Sequence, residues 1–497
     1  MKKGQKTVFI STAIPYVNAA PHLGHAIEFV QADIIARYYR SLKNDVYFLS
    51  GTDDNALKNV LKAEEAGKDV ASFVGENAEI FEKLLNKLEI SNDGFIKTSS
   101  DPRHAPGAQK LWSSFKPEDV EKKTYQGLYC VGCEEFKTER DLVNGYCLEH
   151  PNVKPEMVKE ENYFFKLGHY AKKIEKFIAS DELRIVPEVR KNEVLAFIRS
   201  GLEDLSISRS AERAHGWGVP VADDPGQIQY VWVDALSNYI TALGYAYDGE
   251  EFRKYWVESD ERIHVIGKGI SRFHAIYWPA FLLSADLPLP KTLFVHAYVT
   301  VGGQKMSKSL GNVIDPFAII EEYGADAFRY FLARHVHPFE DSDFTMERFK
   351  KAYNADLVNG IGNLTARVMQ MAVSNLDDPV ELTGETQSEV DVGMHLEKFE
   401  FDRAIAAIWE RIGHNDALIT IKKPFSCIKS DDAQVKEEAV LILKKLVREL
   451  YAIAIDLEPF MPATSKTIID AVIANKKPEN LFPRLAEASR EGGPRKE

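Results

Sequence analysis

Cysteine is scarce, with four in 497 residues. So few thiols exclude a disulfide framework and fit a reducing compartment. No apolar stretch is long and charge-free enough to span a bilayer, which excludes a membrane-embedded helix. An excess of positive charge is absent too, the formal net charge being −13. Indiscriminate binding to nucleic acid feeds on basic surface and is disfavoured, although one local basic face on an acidic body still admits a specific RNA. The opening MKKGQKTVFISTAIP lacks the apolar core and small-residue cleavage site of a signal peptide. A cytoplasmic protein is expected.

A chain of 497 residues exceeds one ordinary core, so two to four domains are expected. Residues 6–13 (KTVFISTA) read as a buried strand. A helix is expected from about His22 to Leu42, because Leu23, Ala26, Ile27, Val30, Ile34 and Tyr38 recur at helical spacing. DVYFLSGTDD reads as a second strand with a polar mouth. Strand, helix, strand opens a βαβ unit and hence an α/β fold on a parallel sheet. Ligands collect at the carboxyl ends of such strands, where Tyr16, His22 and Asp53 would lie. The texture changes near 117, where short charged segments carry the cysteines; 117–208 reads as an insertion. Sheet-like material resumes at IQYVWVDAL and RIHVIGKGI, then a loop-rich stretch, VTVGGQKMSKSLGNVIDP (299–316), follows. From about 346 three long helical patterns read as an all-α bundle.

Two short motifs carry chemistry. His22-Leu-Gly-His25 stands where a loop becomes a helix. A helix start presents unpaired N–H groups and a positive dipole end, an anion site to which imidazoles can add donors. Gly24 between them would let a flat ring lie against the backbone. The bland reading is a cap or a surface group. Far downstream, Lys305-Met-Ser-Lys308-Ser lies between Gly302-Gly303 and Gly311-Asn312. Glycines on both sides suit a mobile loop, and two lysines on it could close over a pyrophosphate. Cys130-x-x-Cys133 and Cys147-x-x-His150 form two ligand pairs of the tetrahedral zinc pattern. Four protein ligands leave no open position, so the metal would be structural.

HLGH near the N-terminus with KMSKS far downstream resembles the signature pair of class I aminoacyl-tRNA synthetases. AIPYVNAAPHLGHA, GTDD, YVWVDAL, NYI, IGKGISRFHAIYWPAFL and KMSKSLGNVIDP are similar to the methionyl-tRNA synthetase family, from about residue 7 to about 485. The resemblance implies a Rossmann-like catalytic domain in two halves, 1–116 and 209–295. Between them lies a connective insertion with the zinc knuckle, 117–208. A KMSKS loop and linker, 296–345, and a helical anticodon-binding bundle, 346–497, follow. It also implies ATP-dependent ligation of L-methionine to tRNA(Met) through methionyl-adenylate. Within that scheme His22, Gly24, His25, Lys305 and Lys308 serve ATP, with Mg²⁺ accompanying the nucleotide. Lys308 would stabilise the transition state. Trp232, Ala235, Leu236 and Tyr239 share one helical face, which spacing alone assigns to core. The resemblance assigns them, with Ile14, Tyr16, Phe273 and His274, to the methionine pocket, and Asp53 to the substrate ammonium. For Asp53 the competing reading is a helix cap.

Asn363 and Arg367 match positions that read the CAU anticodon, and Phe425 stands where a stacking tryptophan is common. Asn55 replaces a usual histidine, and Gly269 replaces the usual aspartate of a GKD stretch. Both put the nucleotide contacts in question. No appended domain is recognisable after the bundle, so a monomer is expected. Two alternatives stay open: a silent tRNA-binding paralogue, favoured by those replacements, and a class I synthetase for another amino acid.

Overall fold

A computed structural model describes residues 4–132, 135–137, 139–148, 152–306, 311–382 and 392–484. The chain forms two compact units. The first is Met1–Tyr298 with Val313–Phe317; the second is Val299–Asn312 with Ala318–Glu497.

The first unit is built on a parallel sheet of six strands: β1 (Thr7–Thr12), β2 (Asp45–Thr52), β3 (Gly94–Lys97), β4 (Arg184–Val186), β5 (Glu261–Gly267) and β6 (Thr292–His296). Their order is β3-β2-β1-β5-β6-β4, and every neighbouring pair runs parallel. β1 is buried at all its positions, as a strand covered on both faces must be, and its sequence TVFIST reads accordingly. The chain leaves β1 toward β2 on one side, whereas β5 leads to β6 on the other. The strand order therefore reverses between β1 and β5, where an open α/β sheet binds its ligands.

Helix α1 (Leu23–Ser41) follows β1. All six residues of the expected apolar face are buried on it. Helix α2 (Leu57–Glu65) follows β2. The YVWVDAL run expected to be sheet-like behaves differently: a strand ends at Gln229, and helix α3 (Val231–Thr241) begins two residues later. Every α3 residue except Trp232 is buried. A helix covered all round shows no apolar–polar contrast, so its β-branched and aromatic content reads as strand.

Within 117–208, Val120–Cys130 pairs antiparallel with Glu156–Phe165 along ten positions, from Val120↔Phe165 to Tyr129↔Glu156. The same segment also supplies β4, an edge strand of the main sheet beside β6.

The second unit is mainly helical. Helices α4 (Asn363–Asn375), α5 (Phe401–Lys422), α6 (Ala433–Leu457) and α7 (Pro462–Ile473) pack together, with α6 against the other three. Leu443, Leu446, Val447, Leu450, Ile453 and Leu457 form the buried stripe of α6. The first of the long helical patterns beyond 346 is divided: a π-helical stretch, Tyr353–Gly362, precedes α4, with Gly360 at φ −89° and ψ −107°. The linker region 296–345 holds two helices, Pro316–Tyr323 and Ala325–Arg334.

Candidate active site

The histidine pair stands at the point of strand reversal. His22 is the N-cap of α1 and His25 lies in its first turn. His22 Nδ1 accepts from the Gly24 N–H at 3.0 Å, and His25 Nδ1 accepts from the His22 N–H at 3.1 Å. The bland reading, a cap, is therefore correct for His22. It also fixes the chemistry. A neutral ring that accepts at Nδ1 carries its proton on Nε2 and donates there. The rings stack at 4.0 Å with a 24° interplanar angle. Burial, and secondarily the neighbouring His22, holds the His25 pKa well below the usual imidazole value, so this ring is neutral near pH 7. Glu28, one turn further along α1, meets His296 Nε2 at 2.9 Å and ties the helix to the end of β6.

An aromatic cluster joins α3 to the segment that follows β5. Trp232 and Phe273 stack at 3.7 Å and 8°. The Tyr239 hydroxyl is 2.7 Å from His274 Nε2, and His274 Nδ1 is 2.9 Å from the Ile270 carbonyl. A carbonyl only accepts, so Nδ1–H donates to it and Nε2 accepts from the phenol. Burial lowers the His274 pKa to about 4 and keeps that tautomer neutral. Leu236 and Tyr239 belong to the core cluster; Ile14, Tyr16, Trp232 and Phe273 are partly buried against it, and Ala235 is buried as well. The α3 stripe is thus core at Ala235, Leu236 and Tyr239, with Trp232 at its partly buried edge.

Asp53 follows β2, bridges to Tyr16 and is 3% exposed. Its Oδ1 accepts from the Asn55 N–H at 3.2 Å. It does not cap the next helix, since the N-cap of α2 is Ala56. Asn55 begins a buried polar chain. Its Nδ2 donates to Asp234 Oδ2 at 2.8 Å, Asp234 Oδ1 lies 2.5 Å from His104 Nε2, and His104 Nδ1 lies 2.9 Å from Thr241 Oγ1. The amide that replaces the usual histidine thereby braces α3 against the end of β2.

Sequence reasoning passed over His264, in the centre of β5. The Ser11 hydroxyl meets its Nδ1 at 2.6 Å, and its ring lies 4.1 Å from that of Tyr239. It packs beneath Tyr239 in the core. The signal was present: a lone histidine inside the apolar run RIHVIG.

Lys305 lies in the second unit, on the short strand Gln304–Lys305, which pairs antiparallel with Val299–Val301. Gly302 and Gly303, read from the sequence as flexible flanks, make the two-residue turn between these strands, with φ of +62° and +73°. Such a turn needs positive φ at both positions, which glycine adopts without steric cost. Lys308 lies outside the described residues. Asn363 is the exposed first residue of α4. One turn on, Arg367 Nη1 meets Asp416 Oδ1 at 2.7 Å. Phe425 is 47% exposed on the short helix Pro424–Cys427. Of the zinc set, Cys130 ends the long strand Val120–Cys130 and Cys147 lies in Tyr146–Cys147; both are buried and not disulfide-bonded. Cys133 and His150 lie outside the described residues. Among the described residues no group of three or more His, Cys, Asp and Glu converges as a metal site.

Residues 8–152 and 141–369 match the family model "tRNA synthetases class I (M)". The chain belongs to the class I tRNA synthetases. Within them it is 39% identical to a methionine–tRNA ligase of Thermotoga maritima, over 95% of this chain and 76% of that one. It is 38% identical to the Rhizobium meliloti enzyme, over 97% of this chain and 94% of that one. In three dimensions it is similar to the Mycobacterium tuberculosis methionyl-tRNA synthetase in complex with methionyl-adenylate. There the TM-score is 0.87 at 35% identity, covering 97% of this chain and 99% of that one. No helix among the described residues is long and apolar enough to cross a membrane.

Proposed function

We propose that this chain is a methionine–tRNA ligase that joins L-methionine to tRNA(Met) in two steps. The reading is carried by one arrangement: two Nε2–H imidazoles at a helix N-terminus after β1 and an aromatic cluster after β5, at the same end of one parallel sheet. In the first step a methionine carboxylate oxygen bonds to the α-phosphorus of ATP, which enters as its magnesium complex. The bond from that phosphorus to the β-phosphate bridging oxygen breaks, and pyrophosphate leaves with the electron pair. In the second step a hydroxyl of the tRNA 3′-terminal ribose attacks the methionyl carbonyl and AMP departs. Neither step needs a protein nucleophile; alignment and charge stabilisation suffice. His22, His25 and the N-terminus of α1 serve the phosphates, joined in our reading by Lys305 and Lys308. Trp232, Tyr239, Phe273 and His274 surround the thioether, whose sulfur packs well at ring edges. Asp53 takes the ammonium. Asn363, Arg367 and Phe425 read the anticodon, with Arg367 exchanging Asp416 for a base edge. The reaction belongs in the cytoplasm.

The test is ATP–pyrophosphate exchange across a panel of amino acids. Methionine should support it best, leucine at least tenfold less, and norleucine in between, because apolar pockets separate near-isosteres by only about 1–3 kcal/mol. Equal rates for leucine and methionine would refute the assignment.

We also assign a structural zinc ion to Cys130, Cys133, Cys147 and His150. The donors suit it: two buried thiols on separate strands, in a segment that exposes Val143, Tyr146 and Leu148. A piece so poor in apolar core needs a cross-link to hold its shape. Metal analysis of chelator-free protein should find about one zinc per chain; less than half an equivalent contradicts the site.

A further inference from the structure

Position 269, where the family resemblance leads one to expect an aspartate, follows the carboxyl end of β5 in the run Gly267-Lys268-Gly269. Its backbone does not require glycine, since Gly269 is not among the glycines with positive φ. A neighbouring atom, the tip of another side chain, stands where a side chain would go. A Cβ at Gly269 would overlap the hydroxyl oxygen of Tyr298, whereas the next nearest atom, Tyr298 Cζ, would lie at 3.6 Å, an ordinary contact. One phenolic oxygen thus fills the room of a side chain at 269. Tyr298 stands two residues beyond β6 and is half-buried. Lys268 Nζ lies 4.6 Å from its ring centroid, a cation–π contact that holds the ring against the β5 end.

This oxygen sits beside the strand reversal. The N-terminus of α1, which follows β1, suits the anionic phosphates. β5 is the strand beyond β1, and Ala13 N–H donates to Val265 O across the two at 3.1 Å. A nucleotide with its phosphates on α1 would lay its nucleoside part along the end of β5. A group there meets a neutral vicinal diol, for which a carboxylate and a phenol are interchangeable partners; a phenol can both donate and accept.

We propose that the Tyr298 hydroxyl is a nucleotide-binding group that contacts the ribose of ATP, taking the place of a carboxylate at 269, so that Gly269 and Tyr298 act as one exchangeable pair. The proposal rests on the nucleotide-activating function argued above. The pair makes a reciprocal prediction. Tyr298→Phe removes one hydrogen bond and should raise the ATP KM in exchange, and the Kd for adenosine, about three- to tenfold. Methionine KM and inhibition by pyrophosphate should not change. Gly269→Asp alone should lower kcat/KM for ATP at least about tenfold, because the new side chain meets the phenolic oxygen. Gly269→Asp with Tyr298→Phe should restore ATP KM and adenosine Kd to within about twofold of the unmodified protein, because the Cβ then fits and a carboxylate returns.

Thermal melts verify that each variant is folded. If Gly269→Asp does not fold, Tyr298→Phe and the double variant decide the matter. Unchanged adenosine and ATP affinity in Tyr298→Phe, or a double variant no better than Gly269→Asp, overturns the proposal. An unmodified protein that binds adenosine but lacks methionine-dependent exchange counts against the ligase reading, and the adenosine titrations still decide the role of Tyr298.

Discussion

Asp53→Asn is expected to raise the methionine KM by about 10²–10³-fold while lowering kcat much less. The carboxylate is 3% exposed at the mouth of β2, so an ammonium paired with it is largely removed from water. Deleting one partner of a buried ion pair leaves the other uncompensated, which costs about 3–5 kcal/mol, and each 1.4 kcal/mol is tenfold in affinity. The ammonium takes no part in the bond changes. The loss therefore falls on the ground state and the transition state alike, and appears in KM. Asparagine keeps an oxygen to accept from the Asn55 N–H, so the local turn survives. Exchange kinetics at varied methionine, with a thermal melt alongside, measure both parts. A methionine KM within threefold of the starting value would remove Asp53 from the amino-acid site.

His22→Ala should lower kcat for exchange by about 10²–10³-fold, the usual effect of deleting one preorganised donor from a charge-stabilising site. It should also cost about 1 kcal/mol of stability, because the N-cap acceptor for the Gly24 N–H is lost. The two roles can be separated. Asparagine is a favourable N-cap, so His22→Asn should recover the stability, but its short amide cannot place a donor where Nε2–H stands. Exchange should stay low in that variant. If His22→Asn recovers near-normal kcat, the imidazole serves only as a helix cap.

Much of this was legible in the sequence because burial imposes periodicity. The apolar stripe of α1 could be read residue by residue, and so could the continuous apolar run of β1. Trp232, Ala235, Leu236 and Tyr239 stood at helical spacing, and α3 carries them. What escaped were features with no periodic signature. The covered helix α3 offers no polar face to mark its start. β4 has only three residues, inside a segment of different texture, and it belongs to the sheet through pairing with β6. The Asn55–Asp234–His104 chain joins residues 130–179 positions apart, and no local pattern announces it. Gly269 read as a defect because its partner, Tyr298, adjoins it only in the folded chain.

The position of β5 between β1 and β6 also governs how the molecule is made. Ser11 on β1 and His264 on β5 touch although they stand 253 positions apart. At about 5–20 residues per second, a ribosome that has released the first strand needs roughly 13–50 s more to supply the neighbour that completes it. Through that interval one edge of an apolar strand stays open to pairing with other chains. Biogenesis of this protein is therefore exposed to co-translational aggregation, and holding factors that shield nascent chains should raise its yield more than they raise that of a helical bundle of equal length.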